Sequence, residues 1–348
     1  METVNNNISH VTLERFGYDW YTTVSCVKLP EDFIREYQDI IRWTDVSKYQ
    51  KLSEKFIREF QDKVNWHSIS KHQKLSKKFI IEFQDKVDWT NISEYQKLSE
   101  DFIRKFQNNV KWDIISRYQE LSEDFIRKFQ NNLKWDIISR YQELSEDFIE
   151  EFQNNVDWYN ISQYQKLSED FIARFKDKVN WINISEYQEL SEEFIEELQD
   201  NIDWHTISGD QKLSEEFIEK FRYKLNWYLV VIYHKLSENF IIKFQDMIND
   251  WEDVSQYQIL SEEFITDFQN KLDWDATSQY QKLSENFIIK FQDKVNWDYI
   301  SRYQKLSEKF IYNHLNKLNI EHLIQYNSEL LSPQLLNKLI QINKIKSI

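Results

Sequence analysis

The chain has 348 residues, a formal net charge of −15, 41% hydrophobic and 16% aromatic content. That composition argues against intrinsic disorder, and the acidic balance opposes general attraction to nucleic acid or anionic membrane. The single cysteine, Cys26, excludes an intrachain disulfide framework and a multi-cysteine metal site, and two Gly with two Pro leave little material for sheet turns or phosphate loops.

The polar start, Met1 to Asn7, lacks a signal-peptide core, and no apolar run approaches the ~18 residues of a membrane span. An intracellular chain, without membrane insertion, is expected. Residues 1–19 are read as an N-terminal cap with a remnant helix carrying Val11, Leu13 and Phe16.

Residues 20–319 are a tandem array. Thirteen Trp recur from Trp20 to Trp297, with eleven steps of 23 residues and one of 24. Such periodicity is the signature of a repeat architecture. With Trp as position 1, the Leu of position 10, the Phe of position 14 and the Ile of position 15 never change across the copies. Positions 1, 4 and 7 predict one apolar face of a first helix, with positions 5 and 8 at its edge. Positions 14, 15, 18 and 22 predict the apolar face of a second. Ser at position 11, in twelve copies, is the expected N-cap of the second helix. Pro30 stands there in the other copy and also suits a helix start. Asp or Asn before Trp, as at Asp88, Asn180 and Asp273, is the expected cap of the first helix. Glu at position 12 suits the helix dipole.

One 23-residue copy buries too little apolar surface to stand alone, so neighbours must complete its burial. The expected fold is all-α: an α-solenoid of thirteen 23-residue helix-turn-helix repeats with degenerate terminal caps. A leucine-rich repeat is the rival at this period, but neither its strand pattern nor its Asn or Cys ladder is present. Residues 320–348 read as the C-terminal capping repeat, with Ile320 at the Trp position and Ser332-Pro333 opening its last helix.

The run WDIISRYQELSEDFI from Trp112, continuing to FQNNL at Phe129, resembles the tandem-repeat proteins of giant DNA viruses of amoebae, the Mimivirus-like group. The resemblance covers nearly the whole chain. It implies no activity, cofactor or catalytic residue, and points to a binding or virion-associated protein in the host cytoplasm or the virion.

Gln at position 8 in eleven copies and at position 19 in ten is read as structural, bonding loop backbone. The seven histidines form no metal pattern; His67 and His72 are five residues apart. No catalytic grouping can be picked out, so neither catalytic, cofactor-binding nor metal-binding residues are assigned. Positions 2, 3 and 6 of the first helix, and 13, 16 and 17 of the second, vary and are the candidate partner-facing sites.

Two departures from the repeat stand out. The segment Trp181–Asp203 sums to −8, through Glu186, Glu189, Glu192, Glu193, Glu196, Glu197, Asp200 and Asp203, and would favour a basic partner. The tenth repeat opens WYLVVIYHK. Tyr228, Leu229 and Ile232 put apolar groups on a normally polar side, Val231 replaces Ser, and His234 replaces Gln. An exposed apolar patch there predicts a self- or partner interface. The expected function is a non-enzymatic scaffold for protein–protein contact, with homodimerisation through repeat ten as an addition. The alternatives are a structural virion or core component and, against the net charge, a single-stranded nucleic-acid binder.

Overall fold

The computed structural model describes residues 24–346, so the expected N-terminal cap at 1–19 lies outside the described residues. Its contacts divide the chain into two compact units, 1–171 and 172–348. Both are built from the same alternation. Each described full repeat has a seven-residue first helix opening on Trp, as in Trp66–His72, and a second helix opening at position 12, as in Glu54–Glu59. No strand occurs among the described residues, and none of their helices is long and apolar enough to cross a membrane. Within each unit the first helix of one repeat packs on the first helix of the next, giving a solenoid-like stack.

The caps form at the predicted residues. Ser53 Oγ accepts from the Phe56 N–H at 3.1 Å, and Ser214 accepts from Phe217 at 3.1 Å. Asp88, Asn180 and Asp273 cap the first helices through the N–H groups of Asn91, Asn183 and Ala276. These bonds satisfy N–H groups that a short helix cannot satisfy internally. The second helix is shorter than its periodicity suggests. After six residues the chain turns, with the N–H groups of Lys63 and Val64 both donating to the Phe60 carbonyl.

The core repeats faithfully. Ile at position 4 and Phe-Ile at positions 14 and 15 are buried, as in Ile92, Phe102 and Ile103. In most described repeats the Trp packs against two Phe of its own repeat; Trp112 lies 6.3 Å from Phe125 and 5.1 Å from Phe129. The indole N–H donates to the position-19 carbonyl just before it, Gln107 for Trp112 at 3.0 Å. Where both contacts form, the Trp is an aromatic wedge and a polar link at once, a pairing of roles that suits tryptophan.

One face differs from the expectation. The position-7 residue is not core: Tyr95, Tyr118 and Tyr141 are exposed. The buried stripe runs through positions 4, 5 and 8, with Ser93 and Gln96 closed off from solvent beside Ile92. Polar side chains sit there because they are fully bonded. Ser70 Oγ donates to the Trp66 carbonyl at 2.7 Å and accepts from the Asp88 N–H at 2.9 Å.

The position-8 Gln bonds backbone, as expected, but the backbone belongs to the preceding repeat. Gln96 Oε1 accepts from the Leu75 N–H at 3.1 Å, while its Nε2 donates to the Ser70 and Gln73 carbonyls. Glu at position 12 has a larger role than dipole compensation. Glu54 accepts from the Ser76 N–H of the next repeat at 2.6 Å, and Glu262 does the same for Ser284. The position-19 Gln chiefly meets lysine rather than loop backbone: Gln61 accepts from Lys86 Nζ at 3.0 Å, and Gln292 from Lys317.

The C-terminal segment forms the helices Ile320–Asn327 and Pro333–Lys346, joined through a 3-10 turn. Leu323, Leu335 and Leu339 are fully buried. Both links to the preceding repeat persist in shortened form. Asn327 Nδ2 donates to the Ser301 carbonyl at 2.7 Å, and Glu308 accepts from the Ser332 N–H.

Candidate functional site

Because positions 4, 5 and 8 face inward, positions 2, 6 and 7 of successive first helices are left as one repeating outer face. In unit 1 it carries Tyr49, Tyr95, Tyr118, Tyr141 and Tyr164, between 38% and 47% exposed. Cations at position 6 order these rings. Arg117 lies 5.1 Å from the Tyr118 ring and 4.8 Å from that of Tyr141; Arg140 lies 5.2 Å from Tyr141 and 4.6 Å from Tyr164. The result is an unbroken stack of Tyr118, Arg117, Tyr141, Arg140 and Tyr164. In unit 2, Arg302 bridges Tyr303 and Tyr326 in the same manner. This row is hidden in the sequence because aromatic residues at positions 1 and 7 look like a core stripe. The signal that finds it is the recurrence of Ser and Gln at positions 5 and 8, which only a satisfied interior explains.

The variable positions are not all free for a partner. Arg58 at position 16 pairs with Glu82 at position 17 of the next repeat at 2.9 Å. In unit 2 the polarity is reversed, with Glu196 meeting Lys220 and Glu219 meeting Lys243. Position 3 is also largely occupied: Asn91 is buried, and its amide donates to the His67 carbonyl at 3.2 Å.

The acids of Trp181–Asp203 have several separate duties. Glu192 accepts from the Ser214 N–H and hydroxyl, and Glu196 is paired with Lys220. Asp203 caps its helix; the bond from the Thr206 N–H holds it below the usual carboxylate range, against the opposing effect of burial. Glu186, Glu189, Glu193, Glu197 and Asp200 are exposed, spread from the first helix through the second to the following turn.

Repeat ten is altered on both sides. Tyr228 is 59% exposed, while Leu229 and Ile232 are half-buried. Gly209 of the preceding repeat lies beneath this helix: a Cβ there would lie 3.4 Å from the Tyr233 ring and 3.7 Å from Leu229 Cδ1, in ordinary contact. Val231 and Trp227 are buried, so the tenth first helix is more apolar than its neighbours inside as well as outside. His234 replaces the triply bonded Gln and keeps one bond, from Nε2 to the Ser208 carbonyl at 2.9 Å. Burial lowers its pKa below the ordinary value, against the raising effect of that bond, so the neutral ring is favoured. The one-residue insertion before Trp251 leaves a cavity of about 40 Å³ beside Val231 and Asp253.

Among the described residues no group of three His, Cys, Asp or Glu is arranged to hold a metal ion. His67 and His72 take separate roles: His67 Nδ1 lies 2.8 Å from Asp88, while His72 occupies a Tyr position on the outer face. A polar groove of about 360 Å³ on the same face of unit 2 is lined by Glu252, Asp275, Tyr280 and Tyr299 among others. No family model, curated protein or solved structure matches the chain.

Proposed function

We infer that the chain is a non-enzymatic scaffold for protein–protein contact, and that it also associates with itself through repeat ten. The carrying observation is the stacked row of Tyr118, Arg117, Tyr141, Arg140 and Tyr164. Tyrosine and arginine are over-represented among residues that dominate binding energy. A ring already held by its neighbours loses little conformational freedom on contact. Exposed tyrosines recur at position 7 beyond this row, as at Tyr49 and Tyr95, so the face offers several contacts to an extended partner. Panning a displayed peptide library on the full chain tests this reading. Selected binders should lose affinity on Tyr118→Ala with Tyr141→Ala; binders indifferent to both substitutions would place recognition elsewhere.

Self-association is supported by the exposed Tyr228 beside half-buried Leu229 and Ile232. Light scattering across concentration should reveal a dimer. Leu229→Glu with Ile232→Glu should abolish it while helical circular dichroism is retained. A monomer at every concentration, or loss of helicity in the variant, removes repeat ten from the account.

A further inference from the structure

The net charge hides a local reversal. In repeats two and three, Trp43–Asn65 and Trp66–Asp88, basic residues outnumber acidic ones, against a chain total of −15. Four of these bases lie on or beside the outer face of the first helices: Lys48 and Lys71 at position 6, Lys51 and Lys74 at position 9. Position 7, next to position 6 and two residues before position 9 in the chain, is filled by exposed Tyr49, His72 and, one repeat on, Tyr95. Lys48 Nζ lies 4.7 Å from the Tyr49 ring and Lys71 Nζ 4.7 Å from that of Tyr95, so cations and rings interleave along the row.

The nearby acids do little to cancel this charge. Asp45 is buried, Asp88 is bonded to His67, and Glu120 faces Lys97 at 3.7 Å. Only Glu94, half-buried, shares the position-6 register. The groups acting on His72 fit this pattern: burial lowers its pKa first, and Lys71, Lys48 and His67 add to the lowering.

We propose that this strip, from Lys48 to Lys97, binds single-stranded nucleic acid, the ring row stacking bases and the flanking lysines contacting phosphates. Stacking on aromatic faces combined with a cationic track is how sequence-tolerant single-strand binders work. An acidic polypeptide would satisfy the lysines, but it has no flat base for the central rings. The strip also lacks arginine, whose planar fork suits carboxylates. The acidic repeats elsewhere do not veto a local site, because at physiological ionic strength fields fade over about 8 Å. The inference does not rest on the protein-contact reading.

The test is fluorescence anisotropy of a labelled oligouridylate against the full chain, from about 50 to 200 mM salt. Binding should weaken steeply with salt. Lys51→Ser with Lys74→Ser should flatten the logarithmic salt slope by roughly 1.4, at ~0.7 for each phosphate left without its lysine. Tyr95→Leu with His72→Leu should weaken binding by roughly thirtyfold or more at nearly constant charge, because two bases no longer stack there. Circular dichroism checks that the variants remain folded; Lys51 and Lys74 are exposed surface groups and carry the test if the ring variants do not fold. No binding at low salt, or binding untouched by the lysine substitutions, overturns the proposal. So does equal competition by polyglutamate without effect of the ring variants, which would reassign the strip to an acidic protein segment.

Discussion

Gln119 donates through Nε2 to the carbonyl oxygen of Gln96, its counterpart one repeat earlier, at 2.9 Å. The same amide donates to the Ser93 carbonyl at 2.8 Å and accepts from the Leu98 N–H at 2.9 Å. One side chain thus ties three backbone groups of the preceding repeat, away from water. Gln119→Ala should cost about 2–4 kcal/mol, because an unsatisfied buried donor is added to the broken bonds. The check is chemical denaturation, together with faster hydrogen exchange at the Leu98 amide. An unchanged exchange rate there would mean water replaces the amide without loss.

The second-helix side gives a contrasting pair in the same repeat. Glu54 accepts from the Ser76 N–H at 2.6 Å, whereas Arg58 makes a half-exposed ion pair with Glu82. Arg58→Ala should leave stability nearly unchanged, as loss of an exposed pair usually does. Glu54→Ala removes a charge-assisted bond to a helix N-terminus and should cost about 1–2 kcal/mol. Equal losses in thermal unfolding would show that the Glu54 bond is no more than another surface contact.

The sequence made the fold legible to a considerable depth. Trp spacing, Ser53-type caps and Asp88-type caps predicted helices that form where expected. It was less reliable about which side of the first helix faces inward. Apolar periodicity counted Tyr118 with Trp112 and Ile115, although the helix turns Ser116 and Gln119 inward and leaves Tyr118 out. Periodicity arguments treat polarity as exposure. They fail where a polar group is buried because a neighbouring repeat satisfies it, and that neighbour is not visible in a single copy. The same limit applies to Glu192: its charge suggested a binding surface, while its bond to Ser214 belongs to the joint between repeats.

His234 provides a test with pH. Burial holds its folded pKa below the ordinary value of 6.5, so the unfolded chain takes up the proton first on acidification. Stability contributed by the neutral ring is therefore complete above the unfolded value and declines as pH falls through 6.5 toward the folded value. His234→Gln should remove this portion of the acid sensitivity. It should also stabilise the protein by about 1–2 kcal/mol by restoring bonds of the type Gln211 makes to Ser185, Gln188 and Leu190. The measurement is denaturant unfolding of both proteins at several pH values between mildly acidic and neutral. Parallel curves would mean that His234 does not titrate differently on folding.

Gly209 sits within the helix Trp204–Asp210, where glycine is normally unfavourable. Tyr233 and Leu229 of the next repeat lie over it. The added Cβ of Gly209→Ala would meet Tyr233 and Leu229 at 3.4 and 3.7 Å, which is ordinary contact. The substitution should therefore stabilise the protein by about 0.5–1 kcal/mol through helix propensity. A long side chain is different, because the copies that carry Arg at this position direct it against the next Tyr, as Arg117 does with Tyr141. Gly209→Arg should accordingly set a guanidinium over the Tyr233 ring beside Leu229 and, by placing a charge at the apolar patch, weaken self-association, while Gly209→Ala leaves it intact. Thermal unfolding and light scattering on the two variants separate these effects. A dimer that survives Gly209→Arg would mean that the packing of Leu229 over the ninth repeat does not shape the interface.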